Sequence, residues 1–81
     1  MPMKSIHTID YKSLIDWLTS QRLMAGLTQA QLADRMDRPQ SFVSKFENGE
    51  RRLDVIECIE ICRELGVDPH AMVDVLMKGT S

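Results

Sequence analysis

With 81 residues, ten Lys and Arg against twelve Asp and Glu, and 43% apolar side chains, the chain has material for one domain around one core. That size leaves little room for an elaborate active site, and four Gly and three Pro with ordinary charge content exclude a collagen-like or disordered chain. Apolar runs such as Val75 to Met77 fall far short of the roughly 18 residues of a membrane span, and Asp10, Lys12 and Asp16 interrupt any signal-peptide core, so the expected location is the cytoplasm with no membrane partner.

Residues 1–10 carry no strong signal beyond weak extended character at Ser5 to Ile9 and are expected to form a flexible extension. A first helix is predicted over Tyr11 to Ala25, where Leu14, Leu18 and Ala25 recur at helical spacing beside Tyr11, Ile15 and Trp17, and Gly26 stops it. Thr28 with Gln31 three residues on forms a capping-box pattern for a short second helix whose apolar face is Leu32, Ala33 and Met36. Asp37 and Arg38 make the turn, and Pro39 suits the first position of a third helix reaching about Glu47, which Asn48-Gly49 terminates.

Asp54 caps a fourth helix with Val55, Cys58, Ile59, Cys62 and Leu65 on one face, ending at Gly66. Asp68-Pro69 repeats the start signal, so a fifth helix is expected from Pro69 to Met77, with 78–81 as a flexible tail. No segment alternates between hairpin turns, and the fold class is therefore all-α, five short helices over residues 11–77.

Cys58 and Cys62 stand four apart, on one helix face without the geometry of an unstrained disulfide, and read as small core residues. A zinc site would need His7 and His70 in an awkward arrangement, so neither metal nor cofactor is expected. The net charge of −2 is unevenly spread: residues 22–52 hold six cations against four carboxylates, whereas residues 53–81 hold two against six.

The informative stretch is 28–49. Two short helices joined by a tight turn pack steeply only if the contact residue on the first is small, which Ala33 supplies. Leu32, Met36, Val43 and Phe46 can then share a core, leaving Gln40, Ser41, Ser44 and Lys45 on the opposite face of the third helix. Gln pairs with adenine, Lys reaches guanine or phosphate, and Ser tolerates several partners, so this face has the chemistry of a DNA recognition helix.

Gly-Leu-Thr-Gln at 26–29, Leu-Ala at 32–33, Pro-Gln-Ser at 39–41, Val-Ser-Lys at 43–45, Glu-Asn-Gly at 47–49, Arg52-Leu53 and Leu65-Gly66-Val67 stand together in register. In these motifs the chain resembles the Cro/cI-type helix-turn-helix proteins, the XRE family of lambda-repressor-like DNA-binding domains, over residues 11–77. One departure is Asp37, at a turn position usually occupied by Gly because the backbone there is left-handed; Asp tolerates that conformation at modest cost.

The resemblance implies that Gln29 contacts a phosphate and braces Gln40, and that Gln40, Ser41, Ser44 and Lys45 face base edges. Phe42 falls at the flank, where its ring could touch a thymine methyl or pack against the turn. Thr28, Asn48, Arg51 and Arg52 fall where the family approaches the DNA backbone, with Arg38 in the turn doing likewise. Arg22 and Glu47 occupy positions that pair as a partly buried structural ion pair between the first helix and the end of the third.

A lone domain reads about half a site, so a homodimer on an approximately palindromic operator is expected. Ile56, Met72, Val73, Val75, Leu76 and Met77 exceed what one core-facing stripe needs and form the expected dimer interface. The acidic C-terminal third is expected to face away from DNA. With no catalytic constellation or phosphate loop, an enzyme is disfavoured. The leading function is a stand-alone transcriptional regulator, a repressor, with double-stranded DNA as partner. The alternatives are a restriction-modification controller, an antitoxin that also covers a cognate toxin, or an adaptor that binds another protein.

Overall fold

The computed structural model describes residues 9–79. Residues 1–8, which hold most of the expected extension, and the last two residues of the expected tail lie outside the described residues. Among the described residues five helices follow in order: α1 (Ile9–Met24), α2 (Gln29–Arg35), α3 (Gln40–Glu47), α4 (Val55–Leu65) and α5 (Pro69–Gly79). The described residues contain no strand, and the class is all-α.

Local chemistry sets the boundaries. Thr28 accepts from the Gln31 N–H at 3.1 Å while Gln31 accepts from the Thr28 N–H at 2.8 Å, so two N–H groups that a helix start leaves unpaired are satisfied reciprocally. Asp54 and Glu57 repeat this box on α4, at 2.7 and 3.0 Å. Pro39 is the extended cap of α3 rather than its first residue, and α3 starts one position later than expected. Gly66 closes α4 in the left-handed region at φ 74°, where any Cβ would be strained.

The core draws Leu14, Ile15 and Leu18 from α1, Leu32 and Ala33 from α2, Val43 and Phe46 from α3, Cys58, Ile61, Cys62 and Leu65 from α4, and Met72 from α5. Full burial of side chains such as Leu18, Leu32, Ile61 and Phe46 contributes about 1.5–3 kcal/mol each. α1 packs most extensively on α5 and α2 on α3, while α1 also meets α3 and α4. Tyr11 on α1 ties in the loop before α4, its hydroxyl accepting from the Leu53 N–H at 3.0 Å.

The expected face of α4 is rotated. Val55 is exposed and Ile59 only half-buried, whereas Ile61 is fully buried, because residues 58, 61, 62 and 65 form the inward stripe at helical spacing. Ala25 is likewise exposed, in the turn after α1, and the buried residue near that end is Arg22. Burial pushes the Cys58 thiol up to about 11 and raises that of Cys62, so both are protonated core groups without a disulfide.

Candidate nucleic-acid interface

α2 and α3 meet through a turn that the backbone holds tightly. The Met36 and Arg38 N–H groups return to the carbonyls of Leu32 and Ala33 at 3.1 and 2.9 Å, and Asp37 is left-handed at φ 57°. Ala33 is buried at the contact, where a larger side chain would hold α3 away. α3 is strongly amphipathic: Phe42, Val43 and Phe46 face inward, whereas Gln40, Ser41 and Lys45 are exposed and Ser44 is half-exposed. The Ser44 hydroxyl donates to the Ser41 carbonyl at 3.3 Å, while the Gln40 and Lys45 side chains have no hydrogen-bond partner among the described residues.

Of the two places open to Phe42, the packed one is observed and the base-contacting one at the outer flank is not. It is 6% exposed, packed edge-on against Phe46 with centroids 5.5 Å apart, and the guanidinium carbons of Arg38 and Arg51 lie 4.4 and 4.8 Å from its ring centroid. Its ring is therefore part of the core and a seat for two cations, not an outward contact for a thymine methyl.

The two arginines share one acceptor that sequence reasoning missed. Glu57 on α4 receives Arg51 Nη1 at 3.0 Å and Nη2 at 2.9 Å, Arg38 Nη1 at 3.2 Å and the Asp54 N–H at 3.0 Å. Glu60 adds a longer contact to Arg38, at 3.6 Å. The Arg51 guanidinium holds the Glu57 carboxyl down to about 2 against the opposing effect of burial, and Glu57 in turn raises the Arg51 pKa. A sequence signal for Glu57 existed, since Asp54 followed three residues later by Glu is a capping-box pattern. The acidic third of the chain is thus not wholly turned away from the basic middle.

Arg22 and Glu47 form a two-pronged ion pair. Arg22 Nε donates to one carboxylate oxygen at 2.7 Å and Nη2 to the other at 2.9 Å, while Nη1 donates to the Leu27 carbonyl at 2.8 Å. The Gln29 amide donates to the same carboxylate at 2.9 Å, so Gln29 braces Glu47 and not Gln40. Asn48 reaches Glu50 only at 3.4 Å, and the exposed Arg52 lies over the Tyr11 ring at 4.8 Å.

The residues expected at a dimer interface divide. Ile56, Val73 and Met77 are exposed, joined by Val55, a residue whose spacing assigns it to the core. Val75 and Leu76 are half-buried. Met72, 6% exposed, closes the monomer core instead. Among the described residues no three His, Cys, Asp or Glu side chains are placed to hold a metal ion, and no helix is long and apolar enough to cross a membrane.

Comparison with known proteins agrees with this geometry. A helix-turn-helix family model matches residues 18–71. Among solved structures, the chain is similar to an XRE-family like protein from Pseudomonas syringae pv. tomato str. DC3000, with 53% identity, 94% of this chain and 93% of that chain covered, and a TM-score of 0.86. No curated protein matched the chain. With its helix-turn-helix at α2 and α3, the chain belongs to the XRE family of helix-turn-helix proteins, a family of DNA-binding transcription regulators.

Proposed function

We propose that the chain is a transcriptional repressor that acts in the cytoplasm and reads an approximately palindromic operator as a homodimer, with α3 in the major groove. The observation that carries this reading is the outward face of α3: Gln40, Ser41 and Lys45 stand in solvent with no packing role, on a helix whose other side is locked into the core. Gln40, Ser41, Ser44 and Lys45 meet base edges, and Thr28, Gln29, Arg38, Asn48, Arg51 and Arg52 approach phosphates.

A single module of this kind covers only about 600–1,000 Å² of DNA contact, which two copies double. The exposed apolar side chains Ile56, Val73 and Met77, flanked by Val75 and Leu76, supply the face for the second copy. A two-fold axis there places recognition helices about 34–36 Å apart, one turn of DNA.

The test is selection of random duplexes by the purified protein at physiological salt, followed by sequencing of what it retains. A palindrome with half-sites about 10 base pairs apart is the expected result. Retention without any consensus, or no retention, would refute a sequence-reading dimer and point to a protein partner such as a toxin.

A further inference from the structure

Among the described residues, arginines gather around a buried glutamate in two places, and the two arrangements differ in what is left over. Arg22 has 9% of its side chain exposed and directs Nε, Nη1 and Nη2 all to protein acceptors. It is a closed structural pair. Arg38 and Arg51 have 32% and 39% of their side chains exposed, although Glu57 between them is as buried as a core residue. A guanidinium carries five N–H donors. Arg51 gives two groups to Glu57 and one further contact to the Arg52 carbonyl at 3.1 Å, which leaves its Nε–H without an acceptor among the described residues. Arg38 gives Nη1 to Glu57 and a long contact to Glu60, and its Nε–H is likewise left over.

These cations come from the turn before α3 and the loop after it, yet both lie within 5 Å of the Phe42 ring in the first turn of α3. Two like charges so placed repel, and one carboxylate shared by both offsets that repulsion. The first turn of a recognition helix is also the part that lies nearest the DNA.

We propose that Glu57 is a positioning residue for DNA binding: its carboxylate holds Arg38 and Arg51 together at Phe42, so that their remaining N–H groups receive the DNA backbone phosphate as a preset pair. This rests on the reading that α3 docks on DNA. Arginine side chains are rich in rotamers, and ordering them in advance lowers the cost of binding. The negative charge of Glu57 opposes DNA, but it is buried and offset by the two guanidiniums that it binds, so the cluster keeps a net positive charge toward solvent.

The experiment is a double-mutant cycle read by fluorescence anisotropy. The full chain is titrated into a mixed-sequence duplex of about two helical turns, between about 50 and 200 mM salt. Glu57→Gln keeps an acceptor for the Asp54 N–H, since Gln serves at this capping position, but removes the charge that gathers both arginines. Affinity should fall about tenfold, the ordering of two long side chains. In an Arg38→Gln/Arg51→Gln background the same substitution should cause no loss of affinity, since no arginine is left to gather, and that background should show a salt slope lower by about 0.9 for each phosphate that is no longer neutralised.

Equal or tighter binding by Glu57→Gln alone would overturn the proposal, as would an equal loss in both backgrounds, which marks a purely structural role. Should Glu57→Gln not fold, Arg38→Lys/Arg51→Lys replaces it: both charges stay, the forked geometry goes, and wild-type affinity would overturn the proposal. If the wild type binds and Arg38→Gln/Arg51→Gln binds equally well, the DNA reading stands and this inference alone fails. A wild type that retains no duplex overturns both.

Discussion

Truncating Glu47 to Ala would test the clamp that fixes the end of α3 to α1. It removes two charge-assisted hydrogen bonds from Arg22, at 2.7 and 2.9 Å, and the acceptor of the Gln29 amide at 2.9 Å. Arg22 and Glu47 have 9% and 6% of their side chains exposed, so the guanidinium would be left charged, out of water, with only the Leu27 carbonyl as partner. Removing one member of such a pair costs about 3–5 kcal/mol. A domain of this size has only on the order of 4–12 kcal/mol of stability in total. With a urea dependence of about 1 kcal/mol per molar, the midpoint followed by circular dichroism should fall by about 3 M or more. Replacing both partners with apolar residues, Arg22→Met with Glu47→Leu, leaves no stranded charge and should recover most of the loss. A Glu47→Ala loss below about 0.5 kcal/mol, or a double variant no more stable than the single one, would refute the reasoning.

Three other outcomes follow from particular contacts. Phe42→Leu should lower stability by about 1–2 kcal/mol in urea unfolding, and leave the base preference of selected duplexes unchanged, because the ring is seated in the core. The Glu57 carboxyl titrates near 2 when folded against an ordinary value of 4.5. A lowered folded pKa gives stability that is present above about 4.5 and lost as pH falls toward 2. The full shift corresponds to about 3 kcal/mol, and screening of the half-exposed arginines brings this to about 2; Glu57→Gln should flatten that part of the pH–stability curve measured by thermal melting. Val73→Glu with Met77→Glu, placing charges on the exposed apolar face of α5, should shift sedimentation toward monomer and weaken operator binding while leaving the urea midpoint of the monomer nearly unchanged. A dimer that persists unaltered would move the interface elsewhere.

The element order was legible because it is written in local chemistry. Thr28 with Gln31, Asp54, Gly66 and Pro69 are start and stop signals that act through the backbone of their own turn, and the helices begin or end within a residue or two of them. The helix-turn-helix was legible for the same reason, with the small Ala33 and the left-handed Asp37 standing where the turn needs them. Which way a side chain faces depends instead on neighbours distant in sequence. Phe42 reads equally well as flank or core until Arg38, Arg51 and Glu57 close around it. Met72 reads as surplus on α5 until α1 is laid beside it. Glu57 reads as one acid among six in the last third, because its importance lies in two arginines 19 and 6 residues away.

The most direct test of α3 as a reader of base sequence compares affinity for the selected duplex with affinity for a mixed-sequence duplex at one salt concentration. Gln40→Ala and Lys45→Ala remove exposed side chains that pack against nothing, so the fold should be unaffected. Each base contact so removed should lower the ratio of the two affinities by about 1–3 kcal/mol, at the expense of the selected duplex. A ratio unchanged in both variants would mean that the outward face of α3 does not read DNA.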